Sequence, residues 1–297
     1  MLLEYFRRHN EDFLKRVGYG RTKKSYQRYR VVYRHLCLFI RTHYQREDIG
    51  FKQVTLNMIT SFEQYLRSEV GLKNNSVWIY MIAFKHIVML ARAEGCLLND
   101  PFVSYKNHYQ QVERGYLTEE ELQRVLDYQP EVETEALVRD LFLFAAFTGL
   151  SYTDVRALRW ENVRELFDGQ TWIVTRRRKT NTATTLMLLD VPKQIINRRG
   201  RRDESQIFRI PSNNCCNTYL IGIGRKCNIE TRITFHIARH TFATLWLSKG
   251  APIETLSSVL GHTNIRTTQI YAKITNQKIN EDMTALAEKL RDLKEAR

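Results

Sequence analysis

The sequence predicts a mainly α-helical protein with a small antiparallel β-sheet, an α+β chain in two domains. Three observations predict it. Apolar residues in the first third recur at steps of three and four, the spacing of one helix face. Three short runs near the middle are rich in β-branched and aromatic residues and are separated by turn residues, the pattern of short strands joined by hairpins. Helical spacing then resumes toward the C-terminus.

Tyr26, Tyr29, Tyr33, Leu36 and Ile40 form the first helical stripe. Lys23, Lys24, Arg28, Arg30, Arg34 and Arg41 decorate the same segment. Thr60 and Glu63 have the spacing of a capping box, which opens a second helix through about Val70. Trp78, Ile82, Lys85 and Met89 lie along a third, from about Ser76 to Ala93. Gly95 and Asn99-Asp100-Pro101 break the pattern. The polar stretch Phe102 to Gly115 reads as an interdomain connection. Domains are expected over 1–110 and 117–297, with a linker at 111–116.

Thr118 and Glu121 form another capping box, and a strongly apolar helix runs from about Glu135 to Phe147. Strands are expected at Val163 to Leu166, Thr171 to Arg178 and Thr184 to Leu189, with turns at Asp168-Gly169 and Asn181. Beyond Pro192 the spacing is helical. His236 opens a helix to about Ser248, which Gly250 ends. Ile279, Met283, Leu286, Leu290 and Leu293 then form one apolar seam on a C-terminal helix over 276–295. Such a seam requires a cover.

The chain has 297 residues, a formal net charge of +14 and 43% hydrophobic residues. That hydrophobic fraction sustains a core and excludes a disordered chain. The charge favours a polyanionic partner, because Lys and Arg release counterions from each phosphate they neutralise. A membrane partner is not expected: no unbroken apolar run approaches the roughly 18 residues of a span, and Met1 to Asn10 lacks an apolar signal segment. Cys37, Cys96, Cys215, Cys216 and Cys227 are odd in number and form no paired Cys-x-x-Cys. They read as free thiols of a cytoplasmic protein, and no metal site is expected.

The chemistry concentrates in the last quarter. His236, Arg239 and His240 share one helix face. Leu260-Gly261-His262 follows, and then Thr267-Thr268-Gln269-Ile270-Tyr271. A guanidinium fork matches two phosphate oxygens. Imidazoles donate to phosphate or move protons near neutral pH. A tyrosine hydroxyl can attack phosphorus and keep the diester energy in a covalent link.

His-x-x-Arg-His, then Leu-Gly-His, then a Tyr nine residues on, resembles the tyrosine recombinase, or phage integrase, family. Thr148-Gly149-Leu150 with Asp154, and Lys179-Thr180 in the expected hairpin, fit the same family in order. The resemblance covers about Leu117 to Ala272, and the preceding helices resemble the family's SAM-like core-binding domain. It implies that Tyr271 is the nucleophile of a 3′-phosphotyrosyl intermediate. Arg239, His236 and His262 would hold the scissile phosphate, Lys179 would protonate the leaving 5′-oxygen, and Asp154 and His240 would orient these groups. It further implies recombination sites in double-stranded DNA as substrate, a Holliday junction, no metal or nucleotide cofactor, and a location on the nucleoid. The expected assembly is a monomer when free and a homotetramer on synapsed DNA, with accessory DNA-bending factors as further partners. A catalytically dead DNA-binding relative and a topoisomerase IB-like enzyme are the alternatives.

One position departs from the family pattern. Where the family has its first catalytic arginine after Thr-Gly-Leu, this chain has Ser151. Ser151 in this context resembles a branch of conjugative-transposon integrases. Arg177 is the first candidate to replace the missing guanidinium, since positions 177 and 179 of a strand share a face. Arg156 and Arg176 are weaker candidates.

Overall fold

The computed structural model describes residues 1–110, 115–166, 168–200, 205–272, 283–284 and 286–287. The chain divides into two units, Met1–Val112 and Glu113–Arg297, each with its own buried core.

The first unit holds α1 (Leu2–Lys15), α2 (Lys23–Tyr44), α3 (Leu56–Ser68) and α4 (Asn74–Ala93). Helix α1 was not expected. Leu3, Phe6, Asn10 and Phe13 form its buried stripe, and Asn10 breaks the apolar periodicity that would have revealed it. Helix α2 buries Val32, Leu36, Phe39 and Ile40, while Lys23, Lys24, Arg28, Arg30 and Arg34 are exposed.

Helix α3 corrects the start expected at Thr60. Its cap is Thr55, whose hydroxyl accepts from the Met58 N–H at 3.3 Å. Met58 and Ile59 belong to the buried face, so the helix must begin before them. Thr60 instead donates to the carbonyls of Leu56 and Asn57 at 3.1 and 2.9 Å. Helix α4 has mean hydropathy 1.3 over a window, long and apolar enough to cross a membrane; an average over interspersed polar residues reaches what no unbroken run does. Its Val77, Met81, Phe84, Ile87 and Val88 lie in the protein core.

The segment after α4 is bound to this unit up to Gln110, which corrects the connection expected from Phe102. Phe102 is fully buried. The Tyr105 hydroxyl donates to Glu63 at 2.6 Å. Asn74 donates to the His108 carbonyl at 3.0 Å, and Asn75 donates to and accepts from the Gln110 backbone at 2.8 and 2.9 Å. Polar composition misled because amides here bond backbone rather than water. Of the expected linker, 111–114 lie outside the described residues.

The second unit starts with the Leu117 N–H donating to Thr241 Oγ1 at 3.0 Å. Thr118 and Glu121 form the expected capping box on α5 (Glu119–Asp127). Helix α6 (Glu133–Thr148) is buried along almost its whole length. A short α7 (Tyr152–Ala157) leads to β1 (Val163–Glu165), β2 (Thr171–Arg176) and β3 (Ala183–Met187). The sheet is antiparallel in the order β1-β2-β3, with Ile173 opposite Leu186. Both are buried, so one face packs on the core. Helices α8 (Asp190–Arg199), α9 (Asn213–Lys226) and α10 (Phe235–Ser248) surround α6, and α11 (Ile253–Val259) and α12 (Arg266–Gln269) follow. Gly250, at φ +79°, ends α10 with N–H bonds from Gly250 to Leu247 and from Ala251 to Trp246, a Schellman pattern. Of the expected C-terminal helix, Met283, Thr284, Leu286 and Ala287 are helical. Met283 is 60% and Leu286 47% exposed; Ile279, Leu290 and Leu293 lie outside the described residues.

Candidate active site

Two glycines allow the site to close. Gly149 ends α6 at φ +68°, and a Cβ there would lie 2.5 Å from the Phe242 ring. Gly261 follows α11 at φ +61°, and a Cβ there would lie 2.6 Å from Arg177 Cγ. Only glycine meets both conditions. Each reversal presents a carbonyl to the same place. Arg239 donates through Nη1 to the Gly149 carbonyl and through Nη2 to the Leu260 carbonyl, both at 2.6 Å. Arg177 donates through Nη1 to the same Leu260 carbonyl. One backbone oxygen therefore holds two guanidiniums side by side.

Arg177 does not reach this place as the alternation of a strand predicts. Strand β2 ends at Arg176, and residues 177–182 turn back, with Arg177 N–H bonded to the Thr182 carbonyl at 2.8 Å. Asn181 takes φ +56° in this turn. Arg177 is buried while Lys179 is exposed, so the two do not share a strand face. No hydrogen bond or ion pair holds Lys179 among the described residues. Arg156 and Arg176 are exposed as well.

Asp154 fixes Arg177. Its Oδ2 lies 2.7 Å from Arg177 Nε and accepts the Ser151 hydroxyl at 2.6 Å. Its Oδ1 accepts the Arg178 N–H at 2.9 Å. Ser151 is thus the N-cap of α7 and also a partner of the carboxylate that positions Arg177. A buried carboxylate requires such partners.

Arg239 and His240 are buried on α10, and His236 is exposed one turn earlier. The two histidines meet Nε2 to Nε2 at 2.9 Å, so one donates and the other accepts. Tyr271 stands edge-on to His240, with ring centroids 4.9 Å apart. His262 faces Arg239 Nη2 with Nε2 at 2.9 Å, and its Nδ1 lies 2.8 Å from Thr268 Oγ1. The site thus brings together Tyr271, Arg239, His236, His240, His262, Arg177, Asp154 and Ser151.

Burial, and next the charge of Arg177, push Arg239 down to about 10, with Tyr271 and Asp154 acting against them. His262 is held at about 4, by burial first and then by Arg239 and Arg177. Its ring is therefore neutral at pH 7. A guanidinium lowered by burial and by a second guanidinium beside it suits an anion between the two.

Sequence reasoning missed Thr268 and the carbonyls of Gly149 and Leu260. The glycines of Thr-Gly-Leu and Leu-Gly-His mark where the chain reverses, but a sequence does not say where the freed carbonyls point. Nothing separates Thr268 from Thr267 until α12 is folded.

The model of the phage integrase family matches residues 115–278, and that of the phage integrase SAM-like domain matches residues 1–109. Tyrosine recombinase XerA of Saccharolobus solfataricus is 28% identical over 174 residues, 58% of this chain and 56% of that protein. The matched region thus spans a little over half of that relative's length. Tyrosine recombinase XerD of Listeria innocua is 24% identical over 239 residues, covering 76% of this chain and 80% of the relative. Among solved structures, the Tn1549 transposon integrase in complex with a circular intermediate DNA superposes with a TM-score of 0.76 at 14% identity, covering 96% of this chain and 99% of that one.

Proposed function

The chain belongs to the phage integrase family, the site-specific tyrosine recombinases, and on that premise we propose that it cuts and rejoins duplex DNA at specific sites through Tyr271. The observation that carries this is the Leu260 carbonyl shared by Arg177 and Arg239, beside the ring of Tyr271. It explains how a chain with Ser151 in place of the family's first arginine keeps two guanidiniums for the scissile phosphate. On this reading the chain falls in the conjugative-transposon branch that Ser151 resembles.

Phosphate binding draws both forks from the carbonyl onto the non-bridging oxygens. The Tyr271 oxygen gives up its proton to water as it bonds to phosphorus, giving a 3′-phosphotyrosyl link. The bond to the 5′-oxygen breaks, and Lys179, exposed in the turn between β2 and β3, gives that oxygen a proton to make a 5′-hydroxyl. Arg239, Arg177, His236 and His262 stabilise the charge of the pentavalent transition state. Asp154, Ser151 and His240 hold them in place. The link conserves the diester energy, so the reverse attack rejoins DNA without metal or nucleotide. Exchange between two sites passes through a Holliday junction within a homotetramer of protomers that are monomeric when free, with DNA-bending factors as accessories. The enzyme works in the cytoplasm, on the nucleoid. The test is a duplex from the DNA flanking its gene, nicked beside the scissile phosphate so that the cut end is lost. Expected is a covalent protein–DNA adduct that survives denaturant and disappears with protease. Its absence on every flanking sequence would leave a DNA-binding relative without activity. Exchange between two such sites separates recombination from relaxation of the topoisomerase IB type.

The exposed Lys23, Lys24, Arg28, Arg30 and Arg34 of α2 supply phosphate contacts, which position the chain on DNA without reading sequence. Log affinity for duplex should fall linearly with log salt, by about 0.9 per phosphate contacted. Removing Arg30 and Arg34 together should reduce that slope by about two. An unchanged slope moves the duplex off this helix.

The second unit carries an apolar groove of about 470 Å³, lined by Leu122, Leu126, Phe147, Phe242, Leu245 and Trp246 among others. Met283 and Leu286, the described residues of the tail seam, are exposed. The tail of a neighbouring protomer in that groove would tie assembly to the placement of Tyr271. Truncation after about Asn276 should leave single-site binding within a few-fold and reduce synapsis and recombination together. A truncated chain that still recombines would make the tail a lid on its own core.

A further inference from the structure

Thr268 is fully buried, and the chemistry above leaves its hydroxyl unused. It lies on α12, and its carbonyl accepts the Tyr271 N–H at 3.0 Å. Its Oγ1 is 2.8 Å from His262 Nδ1, while His262 Nε2 is 2.9 Å from Arg239 Nη2. A guanidinium only donates, so Nε2 must present its lone pair to Arg239. The neutral ring then carries its proton on Nδ1 and donates it to the Thr268 oxygen.

A bound phosphate reverses the demand at Nε2. A non-bridging phosphate oxygen only accepts, so Nε2 must carry a proton to bond to it. A neutral imidazole does this only in its other tautomer, in which Nδ1 accepts. The common partners of a histidine Nδ1, a carboxylate or a backbone carbonyl, would lock the first tautomer. A hydroxyl serves both, because it accepts in one orientation and donates in the other. We propose that Thr268 is a positioning residue whose hydroxyl lets His262 exchange tautomers, accepting from Arg239 in the free protein and donating to the scissile phosphate in the complex.

Protons balance in this exchange. The ring gives up the Nδ1 proton and takes one at Nε2 from water, which reaches this half-buried residue. Thr268 keeps its own proton and turns it toward Nδ1. Arg239 leaves Nε2 as its Nη2 turns to the phosphate. The carbonyl of Thr268 also ties this switch to the turn that carries the nucleophile. The inference rests on the recombinase role proposed for this site.

Two substitutions separate the hydroxyl from the packing. Thr268→Val keeps the shape and removes the hydroxyl, and Thr268→Ser does the reverse. With the nicked duplex at saturating protein, Val should lower the rate of adduct formation by about 10- to 100-fold, the scale of losing one preorganised donor or its support. Ser should stay within about threefold of the wild type, and both should bind duplex as the wild type does. A packing role gives the opposite order, with Val near wild type and Ser impaired, and overturns the proposal. The ¹⁵N shifts of the His262 ring give the second readout. The free protein should show Nδ1–H, and the Tyr271→Phe variant bound to the same duplex should show Nε2–H. An Nε2–H ring in the free protein, or an Nδ1–H ring or imidazolium in the complex, overturns the tautomer exchange. A wild type that forms no adduct sinks the role of the site and this inference with it. A cleaving wild type with an equally fast Val variant sinks this inference alone.

Discussion

Tyr271→Phe should yield no covalent adduct on the nicked duplex, a loss on the order of 10⁴-fold or more, with duplex binding unchanged within about threefold. The substitution removes the oxygen proposed to attack phosphorus and leaves the ring. That ring stands edge-on to His240 at 4.9 Å, a contact worth about 0.5–1.5 kcal/mol beyond its buried area, and Phe keeps it. Thermal stability should therefore stay close to the wild type, so that loss of the adduct reports chemistry and not folding. Gel analysis after denaturation with ³²P-labelled duplex measures it. An adduct formed by the Phe variant would move the nucleophile to another residue.

Arg177→Ala should lower cleavage by about 10²-fold or more at saturating protein, while Arg156→Ala and Arg176→Ala stay near wild type. The difference follows from where the three guanidiniums lie. Arg177 is buried on the Leu260 carbonyl beside Arg239, whereas Arg156 and Arg176 are exposed. The Ala variant also strips Asp154 of its cation 2.7 Å away. Breaking a buried pair on one side costs about 3–5 kcal/mol, and the Ser151 hydroxyl and Arg178 N–H, which remain on the carboxylate, offset part of that. Melting curves must accompany the rates. Arg177→Lys supplies the control: it keeps the charge near Asp154 and loses the fork, so it should melt near the wild type and still cleave poorly. Cleavage by the Lys variant at the wild-type rate would mean that the position needs only charge. Cleavage by the Ala variant at that rate would remove Arg177 from the site.

Much of the site was legible because its spacing is helical. His236, Arg239 and His240 fall on one face of any helix through them, and the capping residues around Thr118 fix where the second unit begins. The sheet was legible because turn residues separate its strands. The failures share a physical cause. Asn10 sits on a core face and hides α1 from a hydrophobic count. Thr55 and Thr60 are both competent caps, and only the burial of Met58 and Ile59 chooses between them. Arg177 was selected by strand alternation, yet the strand stops one residue before it. Its arrival beside Arg239 depends on a turn, on Asp154 and on a glycine 84 positions away in the chain. Closures of that length are set by packing, which no local pattern encodes.

The two oxygens that hold Arg239 belong to the main chain, and no substitution at Gly149 or Leu260 deletes a main-chain oxygen. What substitution can change is the direction in which it points, and that direction is set by two glycines at positive φ. Random mutagenesis would therefore register the cradle at Gly149 and Gly261, where any side chain strains the backbone, and would register at position 260 only the fully buried leucine side chain. The genetic footprint of this arginine cradle lies beside the atoms that build it.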